Sequence, residues 1–152
     1  MKEIYYVYNN EAIASCIFLF ILKKINSLEI ARLCLFLPFL LDDRTISFLS
    51  KNYDPELDLE QLIKEQSKLF VSFNKRYLSL LPVTINSLVL LNDTNQITFK
   101  NENQIISNSI LNFENQGLGE RFDKITEVIP AFLSLIEKYS TEKLYKILKV
   151  QL

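Results

Sequence analysis

Asp42, Asp43 and Arg44 put two carboxylates and a guanidinium side by side after an apolar run, the residue types of an acid–base site. Adjacent carboxylates point to different faces of a helix, so the trio reads as a helix N-cap with a local ion pair. Glu56, Asp58, Glu60 and Glu65 carry the oxygen donors of a hard-cation site. They fit the acidic first turns of a helix more simply, where carboxylates complement its dipole. Gly117-Leu118-Gly119 could aim backbone N–H groups at a phosphate. It lacks a strong preceding strand and a following Lys-Ser/Thr, so a hinge before a helix is expected.

Composition removes most other chemistry. The 152 residues contain no His, which excludes Ser-His-Asp and Cys-His catalysis, His general bases and His-containing zinc sites. The two Cys are too few for a four-cysteine zinc site or a secreted disulfide framework. Cys16 and Cys34 lie in apolar stretches, where a reduced Cys behaves as a small hydrophobe. Both glycines sit in the single 117–119 run, which excludes a Walker A loop or a dinucleotide fingerprint. No catalytic, metal-binding or cofactor-binding residue is therefore expected, and the chain is not read as an enzyme.

The elements that carry these residues are mostly helical. Asn10 is placed to cap a helix from Glu11, with Ile13, Ile17, Ile21 and Ile25 at i, i+4 spacing. Ser27 reads as the cap of a second helix that Pro38 ends or kinks, and Asp42 caps a third from Arg44 to Ser50. Asp58 opens a long amphipathic stretch reaching Tyr77, and Pro82 opens a further helix to Leu91. Gln96 to Lys100 and Gln104 to Ser107 form a hairpin. Pro130 kinks or divides a helix that runs from Leu118 to Ile136, and Ser140 caps the last one, Thr141 to Val150. The expected architecture is a mainly α, compact single domain over 1–152 with one small hairpin. Residues 1–8 form an N-terminal arm, extended or a short strand. The helix and hairpin of 83–107 follow the order of a winged helix.

The charge argues against unaided nucleic-acid binding. Seventeen basic and eighteen acidic residues leave a formal charge of −1, without the basic excess that phosphate contacts need. Lys138, Lys143, Lys146 and Lys149, with Arg121 and Lys124, are interleaved with Glu120, Glu127, Glu137 and Glu142, as on a solvated face. A DNA-reading wing would carry only Lys100 and Glu102, which cancel, and Val83 to Leu91 holds no Arg or Lys. Hydrophobic residues make up 49% and mean hydropathy is +0.11, which predicts a large core or apolar surface meant for a partner. The run Ala12–Leu22 is too short to span a bilayer and Met1–Tyr6 lacks a signal-peptide core, so a cytoplasmic protein is expected.

The order of motifs resembles a known family. Tyr8-Asn9-Asn10 before an apolar helix is followed by Leu37-Pro38-Phe39-Leu40-Leu41 and then Asp42-Asp43-Arg44. Further on come Arg76, Pro82-Val83-Thr84, an apolar helix, the strand Ile97-Thr98-Phe99 and a closing Tyr145–Val150 segment. This series is similar to the small middle component of three-component ABC-ATPase defence systems of the Lamassu type. Glu11 stands where that family usually has Pro. The resemblance implies a non-catalytic adaptor without cofactors. It would join an SMC- or Rad50-like ATPase to a nuclease-type effector in an anti-phage or anti-plasmid complex, touching DNA only through that complex. Asn10, Pro38, Asp43, Arg44, Pro82 and Thr84 are the motif positions, read as structural determinants. Tyr5, Tyr6, Tyr8, Tyr139 and Tyr145 are the candidate interface anchors, because aromatic side chains dominate interface energetics. The alternative from another class is a winged-helix DNA-binding regulator.

Overall fold

A computed structural model describes residues 7–108 and 117–152. Its order is α1 (Glu11–Lys24), β1 (Ser27–Glu29), α2 (Ile30–Leu33), α3 (Phe36–Leu40), α4 (Asp43–Asn52) and α5 (Leu59–Glu65). Then follow α6 (Ser67–Phe70), α7 (Phe73–Asp93), β2 (Ile97–Lys100), β3 (Gln104–Ser107), α8 (Glu120–Glu137) and α9 (Thr141–Ile147). The domain is mainly α, as the periodicity predicts.

Local chemistry sets several helix starts. The side chains of Asn10, Asp42, Asp58 and Ser140 accept hydrogen bonds from backbone N–H groups of the first turns of α1, α4, α5 and α9. The apolar run 33–41 is buried throughout and forms the centre of the core. Phe39 in α3 meets the rings of Phe73, Phe132 and Phe70 at centroid distances of 5.0, 5.1 and 5.7 Å. Burying a side chain of this size contributes roughly 1.5–3 kcal/mol, and each favourable ring pair adds about 0.5–1.5 kcal/mol. α1 and α3 pack on α7, and α8 rests on α4 and α1.

Several expectations are corrected. Ser27 does not cap a helix; Ser27-Leu28-Glu29 is a strand paired with Ile106, Ile105 and Gln104. Ladder hydrogen bonds to that distant segment outweigh the local capping preference of Ser. The hairpin β2–β3 therefore becomes a three-stranded antiparallel sheet, order β1–β3–β2, which keeps the winged-helix order. Pro38 neither ends nor kinks a helix but stands in the first turn of α3, where no N–H is needed. The stretch from Asp58 to Tyr77 is broken at Gln66 and Ser72 into α5, α6 and the start of α7. Pro82 does not begin a helix; it lies inside α7. Phe73, Tyr77 and Leu80 before it and Val83, Leu88 and Leu91 after it are all buried, and that packing exceeds the ~3 kcal/mol cost of an interior proline. Pro130 does not divide its helix but lies inside one element, α8, with Ile125 and Ile129 buried before it and Phe132 and Leu135 after it. The last helix ends at Ile147, short of Val150, and Lys149 takes a φ of 55° just beyond it. Val7 and Tyr8 are helical, not extended; the rest of the N-terminal arm, with Tyr5 and Tyr6, lies outside the described residues.

Candidate partner interface

Three arginines organise the polar interior. Arg121 in α8 donates from Nε to Asp43 Oδ1 (3.1 Å), from Nη1 to the Tyr8 carbonyl (2.7 Å), and from Nη2 to Asn9 Oδ1 (2.9 Å) and the Leu41 carbonyl (3.2 Å). One guanidinium thereby joins the Tyr8-Asn9-Asn10 and Asp42-Asp43-Arg44 motifs. Arg76 donates to the Pro38 and Leu69 carbonyls at 3.0 and 3.1 Å and to Ser72 Oγ at 2.7 Å, and lies 4.0 Å from Asp42. Arg32 reaches the Ile136 and Tyr139 carbonyls and Thr141 Oγ1, tying α2 to the α8–α9 junction. The rigid five-donor fork of arginine suits it to collect carbonyls from several elements at once.

Of the motif residues, Pro38 and Asp43 meet these forks directly. Asn10 accepts from Ala12 N and Ile13 N at 3.0 and 3.3 Å and donates to the Val7 carbonyl. Asp43 is largely exposed apart from Arg121, and Arg44 is exposed beside Asp42 at 3.5 Å. Pro82 is exposed on α7, whereas Thr84 is fully buried with no partner for its Oγ1 among the described residues.

The candidate tyrosines divide. Tyr8 is exposed. Tyr139 is partly buried and donates its hydroxyl to Asp58 Oδ1, locking the end of α8 onto the cap of α5. Tyr145 donates to the Ala31 carbonyl at 2.7 Å and receives the Tyr77 hydroxyl at 3.2 Å. Burial pushes the Tyr139 hydroxyl up to about 12, helped by the Asp58 carboxylate, and raises Tyr145 and Tyr77 as well. The Tyr139 hydrogen bond in turn holds Asp58 below the usual carboxylate range.

A cleft of about 680 Å³ opens between α4 and α8, lined by Asp43, Lys51, Glu120, Arg121, Lys124 and Glu127 among others. Its charges are largely paired within the chain, Arg121 with Asp43 at 3.1 Å and Lys124 with Glu120 at 2.9 Å. Burial pushes the Cys34 thiol up to about 11 and raises Cys16 too, so neither is poised as a thiolate near neutrality. Among the described residues no group of three or more His, Cys, Asp or Glu side chains is placed to hold a metal ion, and no helix is long and apolar enough to cross a membrane.

What the surface does offer is apolar. Val7, Tyr8 and Leu118 stand out around a groove of about 320 Å³ that also touches Ala12, Ile13 and Phe122. Val71 is 85% exposed between α6 and α7. Leu78, Ile85, Val89 and Leu90 are about half exposed along α7. Sequence reasoning missed this α7 face and the anchoring roles of Arg32 and Arg121. The signal for the face was present, since no residue from Tyr77 to Asn92 is charged.

No curated protein and no solved structure matches the chain. A family model does, over residues 1–152, and that match spans every element described above. The chain belongs to the family of the ABC-three component (ABC-3C) system Middle Component 3.

Proposed function

We propose that this chain is the non-catalytic adaptor or regulatory subunit that links an SMC- or Rad50-like ATPase to a nuclease-type effector in a cytoplasmic, Lamassu-type anti-phage or anti-plasmid complex. The observation that carries the reading is the middle-component family match over the whole chain. The geometry supports it. The arginine and tyrosine side chains described above hold elements together, while large apolar side chains are turned outward on helices with buried faces. Such a body offers rigid apolar docking surface.

The adaptor holds the effector inactive, or correctly placed, until the ATPase changes state. It must then bind two ATPase conformations with different affinity, since only a difference shifts an equilibrium. The experiment is co-expression with the other two components of its system and purification through a tag on this chain, with and without a non-hydrolysable ATP analogue. Recovery of an ATPase and an effector, in nucleotide-dependent amounts, is expected. A chain that recovers neither partner sinks the reading.

The β1–β3–β2 sheet fed by α7 favours the winged-helix DNA regulator as the second reading. Its charge opposes it: Lys100 at the end of β2 and Glu102 in the β2–β3 turn cancel in charge, and α7 has no basic residue after Arg76. Sub-micromolar, salt-dependent DNA binding by the chain alone at physiological salt would reverse the preference.

A further inference from the structure

A groove of about 490 Å³ lies where α5 and α6 face the end of α9 across the start of α7. Ile63, Phe70, Val71 and Ile147 give it an apolar lining. The charged residues that line it are Lys64 and Lys149; no Asp or Glu does. Both lysines are exposed, and among the described residues neither makes an ion pair. The carboxylates of α5 and α9 are engaged elsewhere. Glu60 holds Lys143 at 2.7 Å, Glu142 holds Lys146 at 2.6 Å, and Glu65 accepts the Gln61 amide at 2.8 Å. The cleft between α4 and α8 differs on this point, because its Arg121 and Lys124 are matched by Asp43 and Glu120. We propose that the groove docks an acidic, apolar segment of another component of the system, one with a large apolar side chain flanked by Asp or Glu. This occupant presupposes the adaptor reading above.

The backbone at Lys149 supports the assignment. Val150 N donates to the Tyr145 carbonyl at 3.1 Å and Lys149 N to the Lys146 carbonyl at 3.2 Å, the paired bonds of a Schellman cap. The left-handed position of that cap normally belongs to Gly, yet here it holds Lys149 at a φ of 55°. A side chain is unfavourable there, and this one brings a cation to the groove. Gln151 N donates to Asn74 Oδ1 at 2.9 Å, which fixes the chain beyond α9 against the start of α7.

Charge complementarity selects the occupant. Apolar lining takes up an apolar anchor, and two ammonium groups without counterions choose a partner that carries carboxylates. Two lysines neutralise only two phosphates, and a nucleic-acid backbone would lay its charge over the apolar lining. A bilayer surface does not enter a groove. In a symmetric pair of copies the same lysines would face each other, and like charges repel.

The test uses the full chain co-expressed with the other two components of its system and purified through a tag on this chain. Lys64→Glu combined with Lys149→Glu reverses the sign of the groove, and Lys100→Glu in the sheet is the control. About a tenfold fall in co-purified partner is expected for the double variant and none for the control. Lys149→Gly should also lower recovery, while the thermal midpoint of the isolated chain does not fall, because glycine suits the left-handed backbone. A purely structural Lys149 would not separate the two readouts in this way. A photo-crosslinking residue at position 71, in an otherwise unchanged chain, reports independently of any folding defect. It should capture a peptide from another component with Asp or Glu beside a large apolar residue. Undiminished recovery of the double variant overturns the groove and leaves the adaptor reading standing. So does a cross-link to a second copy of this chain, to nucleic acid, to lipid or to a segment without carboxylates. Failure of the wild-type chain to recover any component overturns both.

Discussion

Arg121 Nε and Asp43 Oδ1 are 3.1 Å apart and bind α8 to the start of α4, yet the two side chains stand in unlike surroundings, 28% and 77% exposed. The exposed carboxylate is worth little by itself, since water screens it. The guanidinium also serves the Tyr8 and Leu41 carbonyls and Asn9, so its removal leaves those groups short of a donor. Arg121→Ala should cost about 2 kcal/mol, and Arg121→Lys most of that, because an ammonium cannot reproduce the fork. Asp43→Asn should cost under ~1 kcal/mol. Thermal melts of the three variants decide it, and equal losses for Arg121→Ala and Asp43→Asn would contradict the assignment.

Thr84 carries a hydroxyl with no partner in the heart of α7's packed face. Replacing such a group by an apolar isostere removes an uncompensated desolvation cost. Thr84→Val should leave stability unchanged or raise it by up to about 1 kcal/mol in urea unfolding. A loss of stability would show that the hydroxyl is bonded.

The Tyr139–Asp58 pair makes stability depend on pH at both ends. Tyr139 is raised from 10.0 to about 12, so its contribution is complete below pH 10 and is lost as pH climbs from there toward 12. Asp58 is lowered from 3.8, so its contribution is present above that pH and is lost as pH falls further. Urea midpoints of Tyr139→Phe should be about 1 kcal/mol lower on the neutral plateau, with a shallower decline above pH 10 and below pH 4. Tyr77 and Tyr145 are raised too, so part of the alkaline decline persists. A variant with the wild-type profile would remove the pair from the account.

Cys34 is buried and its thiol is pushed up to about 11, while Cys16 is half-buried and its thiol is raised by burial too. At pH 8 an aromatic disulfide reagent should titrate Cys16 slowly and Cys34 only after denaturation. Immediate modification of Cys34 in the folded protein would mean that the α2–α3 junction opens.

Much of this was legible in the chain itself. Asn10, Asp42, Asp58 and Ser140 could be read as caps because a cap bonds to N–H groups two or three residues away, and the apolar repeat of 13, 17 and 21 marks a buried helix by its own period. The β2–β3 hairpin is equally local, its two strands separated by one short turn. The motif order pointed to the middle component of a three-component ABC system, and the match over 1–152 establishes that much.

Only the tertiary structure could decide the rest. β1 is three residues long and exists because Gln104–Ile106 offers it a ladder, so nothing within Ser27–Glu29 announces it. Pro82 is tolerated in mid-helix because residues on both sides of it are buried against other elements. Arg121 looks like one more surface cation until α8 is laid against α4, when carbonyls and side chains from the 8–9 and 41–43 segments converge on it. In each case the stabilising partner is remote along the chain. Short-range hydrogen bonds and periodicity are written in neighbouring residues, whereas the strand pairing, the interior proline and the arginine forks depend on which distant surfaces meet.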